Sequence, residues 1–255
     1  MRRHWLFAAT IVLGVLAPVA VAAGPVEKED DSARPAPLRL RDDFSDRLAL
    51  DWNIIREDAT HYSLSKNPGR LTITTQRGAI HGDSDRDRQS GGIRTKNMFF
   101  LKNPVEADRD FSITLAVTKF EPTTFYHQFA LLCYDDDDNY LKWTYEYTWR
   151  KPGTTCFTLV REIDKEPVHD LIYDLPFPGK LWIRVTKRGP EYVCSYSTDG
   201  RTFPVVGSRP WISSAPKYLG FFAKNGGNPD APEIDVAIDS FELASPPADE
   251  TPAGE

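Results

Sequence analysis

Two glutamates, Glu57 and Glu146, are the pair with which this sequence could support acid–base chemistry. Glycoside hydrolases use two carboxyl groups, about 5–5.5 Å apart in retaining enzymes and about 6.5–9.5 Å apart in inverting ones. Glu57 follows Arg56 in a strand that could lie beside the face that carries Glu146. Ion pairing of Glu146 with Lys142 or Arg184 across strands explains the same acids without catalysis. A glycan hydrolase or lyase using Glu57 and Glu146 is therefore an alternative function, and a noncatalytic role is the leading one.

The segment of residues 125–149 has the pattern of a long β-hairpin, because two apolar, aromatic-rich runs flank the polar loop 135–139. Side chains alternate between the two faces of a strand, so the pairing register decides which residues share a face. If Tyr134 pairs with Tyr140, one face carries the pairs Cys133–Leu141, Leu131–Trp143 and Phe129–Tyr145, and the other carries Leu132–Lys142, Ala130–Thr144 and Gln128–Glu146. The first set is almost wholly apolar. The hairpin is therefore predicted to have a core face and a face available for binding.

The predicted binding face combines side chains from two segments. Leu181, Ile183 and Val185 fit the core, which sends the residues between them outward. The candidate ligand-binding residues are Tyr126, Gln128, Tyr140, Lys142, Glu146, Trp182 and Arg184. Aromatic rings stack on sugar C–H groups and polar groups bind hydroxyls, so the face predicts a polysaccharide or glycan partner. The leading interpretation is a noncatalytic carbohydrate-binding module that binds polysaccharide through this concave face. The competing one is a structural or protein-interaction sandwich without a sugar site, whose solvated face pairs its charges across strands.

Short strand patterns separated by Gly, Pro, Asn and Asp turns extend over most of the sequence, and no stretch keeps helical periodicity for three turns. This predicts an all-β fold, a two-sheet antiparallel sandwich of the jelly-roll type. Four regions are expected: a signal peptide (1–23), a linker (24–41), one sandwich (42–243) and a disordered tail (244–255). The net charge of −6 leaves no basic face for a phosphate backbone, so we expect no nucleic-acid partner.

The first residues have the three parts of a secretory signal: the basic Arg2 and Arg3, an apolar run over residues 6–16, and an A-x-A site at residues 20–22. The alternative is a membrane anchor, because residues 5–23 are about long enough to span a bilayer. Pro18 and the small residues that follow favour cleavage. The sequence thus predicts a secreted or periplasmic protein without stable membrane insertion. Cys133 is predicted to be a buried apolar residue without a disulfide to Cys156, since their strands flank a third one.

Several motifs, in a fixed order, resemble those of a known family. They are Asp43-Phe44-Ser45, Trp52, Arg56-Glu57, Tyr62-Ser63-Leu64, Asn67-Pro68-Gly69-Arg70-Leu71, Gln128, Asp137-Asp138-Asn139-Tyr140-Leu141-Lys142, Trp182-Ile183-Arg184-Val185, Ser195-Tyr196-Ser197-Thr198-Asp199-Gly200, Leu219-Gly220-Phe221-Phe222-Ala223 and Ile238-Asp239-Ser240-Phe241. Together they resemble the concanavalin-A-like module at the C-terminus of family 43 β-xylosidases, and the concanavalin-like group labelled "regulation of enolase". The resemblance covers about residues 42–243 and implies a concanavalin-A-like (laminin-G-like) sandwich. It does not extend to the xylosidase catalytic propeller, so it implies no hydrolysis.

Jelly-roll carbohydrate modules of this kind often hold a structural calcium where the first and last strands meet. Asp42, Asp43 and Asp239 are the candidate ligands here, and ordinary surface acids are the alternative. No other cofactor is expected. The acidic run 135–138 lies in a hairpin loop, where Asp and Asn are favoured by turn geometry, and it is predicted to be a turn.

The signal-peptide pattern predicts that the mature chain starts at Ala23 or Gly24 and is exported in soluble form. N-terminal sequencing of periplasmic or extracellular protein measures this start directly. An intact Met1 on a membrane-bound protein would contradict the prediction.

Overall fold

The computed structural model describes residues 37–80, 91–107, 109–148, 150–211, 213 and 215–248. Within these ranges the chain forms an all-β sandwich, as the sequence predicts, with a 3₁₀ turn at Ala59–His61. The strands are β1 (Arg39–Asp42), β2 (Asn53–Ile55), β3 (Tyr62–Ser63), β4 (Leu71–Thr74), β5 (Met98–Lys102), β6 (Phe111–Lys119), β7 (Gln128–Asp136), β8 (Asn139–Tyr147), β9 (Thr155–Ile163), β10 (Glu166–Asp174), β11 (Leu181–Arg188), β12 (Glu191–Ser197), β13 (Val205–Pro210), β14 (Tyr218–Lys224) and β15 (Asp235–Ala244).

The strands form two antiparallel sheets. The first sheet has the order β13-β12-β11-β6-β15-β4-β3, and β1 also pairs with β15. The second sheet has the order β10-β9-β8-β7-β14-β5-β2. In the second sheet β14 lies directly beside β7, although the two are far apart in sequence. This long-range neighbour places residues of β14 next to the central hairpin.

The central hairpin, β7 and β8, has the predicted register. Tyr134 pairs with Tyr140, Leu131 with Trp143 and Gln128 with Glu146. The loop is shorter than the sequence pattern indicated, because the strands extend to Asp136 and Asn139 and leave a two-residue turn. A bulge at residue 135 accounts for the difference, since it adds one residue to β7 before the turn.

The core lies between the two sheets and is built from the predicted apolar face of the hairpin. Leu131, Trp143 and Ile183 are completely buried there. The Trp143 ring stacks on Phe157, with the ring centroids 4.7 Å apart. Its Nε1–H donates to the Ser195 carbonyl oxygen of the first sheet at 3.1 Å, so the only polar group of this indole is satisfied.

Three cysteines, Cys133, Cys156 and Cys194, are buried and free. Cys133 and Cys156 lie on β7 and β9, on either side of β8, as the sequence predicts. Burial raises the pKa of the Cys133 thiol well above its ordinary value, which leaves it protonated and unreactive.

The edges of the sandwich differ slightly from the predicted boundaries. The residues Arg39–Asp42 form β1 and pair with β15, so the last part of the predicted linker belongs to the fold. At the other end Ala244 is still in β15, and the Ser245 N–H donates to the Leu38 carbonyl oxygen at 3.0 Å. The predicted signal peptide, the linker up to residue 36 and residues 249–255 lie outside the described residues. Among those that are described, no helix has the length and apolar character needed to span a bilayer.

The register of the hairpin places Leu131 in the core and therefore predicts a large loss of stability when its side chain is truncated. Leu131→Ala should lower the free energy of unfolding by about 2–5 kcal/mol, because it removes a completely buried side chain opposite Trp143. The matched control is Val168→Ala on β10, where the side chain is 48% exposed and the change should stay within about 0.5 kcal/mol. Urea denaturation of both variants measures the difference. Equal stabilities would contradict the register.

Candidate functional site

A group of polar side chains lies on the outer face of the second sheet, opposite the core. We call it the polar cluster, and it consists of Gln128, Lys142, Thr144, Glu146, Thr158 and Lys224. It spans four adjacent strands, because Lys224 of β14 pairs with Gln128 of β7, and Gln128 pairs with Glu146 of β8. Thr144 and Thr158 form the next cross-strand pair on the same face, between β8 and β9. Side-chain alternation therefore directs all of them away from the core.

Hydrogen bonds connect four members of the cluster in a chain. The Lys142 ammonium donates to Gln128 Oε1 at 3.2 Å, and Gln128 Nε2 donates to Glu146 Oε2 at 3.0 Å. The Thr158 hydroxyl donates to Glu146 Oε1 at 2.9 Å. Both oxygens of the Glu146 carboxylate are thus fixed by neutral donors. Ordered networks of this kind hold their polar groups in one geometry, which a binding site requires.

The cluster is removed from bulk water. Lys142 and Lys224 are 6% exposed and Glu146 is 8% exposed. Burial raises the pKa of Glu146, although Lys142, the Thr158 hydrogen bond and Lys224 oppose this. Burial lowers the pKa of Lys142. Burial also lowers the pKa of Lys224, to about 7; the positive charge of Lys142 lowers it further, and the negative charge of Glu146 opposes the shift. Perturbed ionisable groups of this kind are typical of functional sites.

Two members of the cluster have unused hydrogen-bonding capacity. In the described part of the chain, the Lys224 ammonium has neither a hydrogen-bond acceptor nor a carboxylate oxygen within 4.0 Å. The Thr144 hydroxyl is buried and also has no partner. An unpaired buried ammonium costs several kcal/mol in proteins, so Lys224 does not stabilise the fold through its charge.

Tyr126 is the exposed aromatic residue beside the cluster. Its side chain is 38% exposed. Partial burial raises the pKa of its phenol, and the negative charge of Glu146 raises it further. Its φ of +68° is a left-handed conformation that non-glycine residues rarely adopt. Gly226 makes room for it, because a Cβ at Gly226 would lie 2.4 Å from Tyr126 Cβ. Strained backbone held by its surroundings is a feature of ligand sites.

The neighbouring His127 is a structural residue. It is completely buried, its Nδ1 accepts a hydrogen bond from the Thr123 N–H at 3.1 Å, and its Nε2 donates to the Pro232 carbonyl oxygen at 2.8 Å. Burial lowers its pKa and favours the neutral ring. Because both ring nitrogens are engaged, His127 is not free to act as a general base.

The rest of this outer face is apolar and covered. Residues 76–80 run beside the residues that follow β14, because the Asn225 N–H donates to the Gln76 carbonyl oxygen and the Gly78 N–H to the Gly226 carbonyl oxygen, both at 2.9 Å. Ile80 packs in a second apolar cluster with Met98, Phe100, Ala130, Leu132, Tyr134, Tyr140, Val160 and Phe222. The open face predicted from the sequence is therefore mostly covered.

This covering corrects two predicted roles. Tyr140, expected to stack on a ligand, is completely buried, and its hydroxyl donates to Glu162 Oε2 at 2.6 Å. Lys142, expected on an open surface, is among the buried residues of the cluster. Alternation gave the correct face for both residues, but it carries no information about a distant segment that packs on that face.

Trp182 and Arg184 do not join the cluster, contrary to the prediction of one shared face. They lie on β11, in the first sheet, and point to the outer side of that sheet, since Leu181, Ile183 and Val185 face the core as predicted. Each has local partners there. The Lys180 ammonium lies 4.6 Å from the Trp182 ring centroid, and Arg184 Nε donates to Thr114 Oγ1 at 2.9 Å.

The predicted catalytic pair, Glu57 and Glu146, is not formed. Glu57 follows β2, which is four strands from β8, so about 19 Å separates the two positions. Glu57 is exposed and accepts a hydrogen bond from the Tyr62 hydroxyl. Glu162 is the other buried acid on this face, but it lies six positions along the strand from Glu146, or about 20 Å. Neither distance fits a glycosidase pair.

The predicted calcium ligands have other partners. Asp42 is completely buried and accepts hydrogen bonds from the N–H groups of Phe44, Ala49 and Leu50 and from Trp52 Nε1, at 2.7–3.3 Å. Asp43 accepts from the Ser45 N–H and hydroxyl, and Asp239 pairs with Lys180 at 2.8 Å. Within the described ranges, no group of three His, Cys, Asp or Glu residues is arranged to hold a metal ion. Of the acidic run 135–138, predicted to be a turn, only Asp137 and Asp138 form it, because β7 extends to Asp136.

Three members of the polar cluster were not among the predicted site residues: Lys224, Thr144 and Thr158. Lys224 is the last residue of the apolar strand β14. It lies two positions after Phe222, which is on the outer face, so Lys224 is on the outer face as well. That signal is present in the sequence. However, nothing local indicates that β14 lies beside β7, so Lys224 could not be joined to Gln128 and Glu146.

The fold is shared with solved structures of low sequence identity. The GH43 protein BlXynB of Bacillus licheniformis superposes with a TM-score of 0.66 at 22% identity, over 81% of this chain and 39% of that one. The xylan β-1,4-xylosidase of Bacillus halodurans gives 0.63 at 14% identity, over 88% of this chain and 40% of that one. The chain thus spans about two fifths of the length of each of these proteins.

A smaller protein is matched over nearly its whole length. The CBM2 module of the evolved Dit protein of Lactobacillus casei BL23 phage J-1 has a TM-score of 0.53 at 12% identity, over 82% of this chain and 96% of that one. Among curated protein sequences no match was found. The family described as the β-xylosidase C-terminal concanavalin A-like domain matches residues 41–222. This chain therefore belongs to the family of concanavalin A-like domains that occur at the C-terminus of β-xylosidases.

Proposed function

We propose that this domain is a noncatalytic carbohydrate-binding module whose site is the polar cluster with Tyr126 beside it. The observation that carries the proposal is the cluster itself: charged and amide groups are buried in fixed positions on the sheet face that the core does not use. A carbohydrate site needs such fixed donors and acceptors for hydroxyl groups and an aromatic surface for C–H groups. Tyr126 supplies the half-exposed ring.

The separation of the acids supports binding over hydrolysis. Glu146 is held by Gln128 and Thr158, and its distance from Glu57 and from Glu162 exceeds the range of glycosidase pairs. The names of the structural relatives agree with a role in glycan metabolism, since they include a xylan β-1,4-xylosidase and a CBM2 module. Fold likeness alone does not fix an activity, so the argument rests on the cluster.

Export of the domain is a second part of the proposal. It rests on the signal-peptide pattern of residues 1–23, which lie outside the described part of the chain. A secreted or periplasmic location would bring the site into contact with polysaccharides.

The stacking role of Tyr126 predicts the effect of its truncation. Tyr126→Ala should weaken glycan binding at least about tenfold, because a stacking aromatic residue often contributes above about 2 kcal/mol to binding. Tyr126→Phe keeps the ring and should retain most of the affinity. The matched control is Tyr173→Ala on β10 of the same sheet, where a tyrosine of similar exposure (41%) lies away from the cluster. Affinity electrophoresis against plant and microbial polysaccharides, followed by calorimetry, measures these changes.

Three outcomes would contradict the proposal. The first is no binding of the wild-type protein to any polysaccharide of the panel. The second is equal loss of affinity in Tyr126→Ala and Tyr173→Ala. The third is the release of new reducing ends or unsaturated products that disappears in Glu146→Gln, since this would show a catalytic carboxylate.

A further inference from the structure

Lys224 is the residue of the polar cluster that the hydrogen-bond network does not use. It lies at the end of β14 beside Gln128, and its ammonium has no acceptor in the described part of the chain. Only 6% of its surface is exposed, although its Nζ, unlike the Thr144 hydroxyl oxygen, is not sealed from solvent and can be reached by a ligand. A buried cation without a counter-ion is an arrangement that an anionic ligand completes.

The charges of the cluster residues also favour an anionic ligand. Lys142 and Lys224 are the two cations, and Glu146 is the one carboxylate among the six cluster residues. Glu162, at the other end of the face, accepts a hydrogen bond from the Tyr140 hydroxyl. Its negative charge raises the pKa of Lys142 but does not affect that of Lys224. Lys142 therefore has two carboxylates acting on it, whereas Lys224 has only Glu146, which it shares with Lys142.

Thr144 supplies a second unused group on the same face. Its hydroxyl is buried without a partner, and its position on β8 lies between Lys142 and Glu146 on the outward side of the strand. This oxygen is sealed from solvent, so an incoming ligand does not reach it in this structure. Lys224 is thus the unused group that can meet a ligand, and its single charge matches a ligand with one negative charge.

We infer that the cluster recognises an acidic sugar, a uronic acid unit whose carboxylate binds the Lys224 ammonium. This inference rests on the proposed carbohydrate-binding function and specifies its ligand class. The remaining polar groups, Gln128 and Glu146, then bind hydroxyls of the same sugar or its neighbour, and Tyr126 stacks at the edge. A carboxylate fits better than a phosphate monoester, because the monoester carries a charge closer to −2 at neutral pH.

Lowering of the pKa of Lys224 gives the inference a pH signature. The charged groups that act on Lys224 are Lys142 and Glu146, both from β8, and Gln128 of the adjacent β7 is neutral. Because the pKa of Lys224 is about 7, its charge is present below that pH and is lost above it. Protonation of Glu146 at acid pH removes a competing negative charge. Uronate binding should therefore weaken as the pH rises from about 6 to about 8.5.

The test uses matched ligands and matched variants. Glucuronoxylan, polygalacturonate and alginate are each compared with the same polymer after reduction of its carboxyl groups to primary alcohols. The folded wild-type protein, Lys224→Met and Lys102→Met are measured by calorimetry. Lys102 is an exposed lysine on β5 of the same sheet, so its variant controls for the loss of one positive charge.

We expect at least one acidic polymer to bind tightly and its reduced form to bind about ten- to hundredfold more weakly, which is the range for a charge-assisted hydrogen bond. Lys224→Met should bring the affinities for the acidic and the reduced polymer together, and Lys102→Met should leave their ratio unchanged. A purely structural role of Lys224 would not alter the ratio between the two ligand forms. The pH dependence should also be reduced in Lys224→Met.

Three results would overturn the inference. Equal binding of acidic and reduced polymers, or a preference that persists in Lys224→Met, would refute uronate recognition and leave the carbohydrate-binding function intact. Failure of every polymer to bind in both forms, together with no binding across the neutral polysaccharide panel, would refute the proposed function as well. If Lys224→Met does not fold, Lys224→Gln and the pH profile of the wild-type protein provide the same comparison.

Discussion

The cross-strand register of β7 and β8 is the constraint on which the rest of this structure depends. Leu131 and Trp143 occupy one side of the hairpin and Lys142 and Glu146 the other, so a slip of one residue would exchange them. Two charged groups would then enter the space between the sheets, and each buried charge without a partner costs several kcal/mol. The same register that builds the core also assembles the polar cluster. Core packing and site geometry are thus specified together.

The outer face of the second sheet has two parts, one that stabilises the fold and one that carries the proposed site. Residues 76–80 and the apolar cluster around Ile80 cover one part of this face and add to the buried surface. The adjacent part retains Lys142, Glu146 and Lys224 under conditions that shift their pKa values. An apolar replacement at Lys224 would suit this environment better, because its ammonium has no partner in the described residues. Retention of a costly group is understandable where a ligand supplies the missing interaction.

Most of the fold could be predicted from the sequence, because it depends on local patterns. Alternation in residues 125–149 was sufficient to give the register of β7 and β8 and the core positions Leu131 and Trp143, and the outward direction of Gln128 and Glu146. Short strands such as β1, β5 and β13 could not be predicted individually, since they carry little alternation of their own. Family motifs added the concanavalin-A-like topology, which the family match confirms.

The site could be predicted only in part, because its completion depends on contacts between distant segments. Trp182 was assigned to the wrong sheet, since outward direction alone does not say which of two outer faces a residue occupies. Tyr140 was expected to be exposed, but a segment packed from elsewhere covers it. Lys224 was overlooked for the converse reason: the pairing of β14 with β7 brings it to Gln128. Long-range strand order, which the sequence does not display, decides each of these three outcomes.

The central claim is that ligands bind at the polar cluster on the second sheet. Mapping of backbone amide chemical shifts tests it most directly, in isotope-labelled protein titrated with the oligosaccharide of highest affinity. The account predicts that the largest saturable shifts occur at residues 126–128, 142–146 and 224, with those at 182–184 of the first sheet unchanged. Shifts concentrated at residues 182–184, with none at Gln128, Glu146 and Lys224, would contradict it.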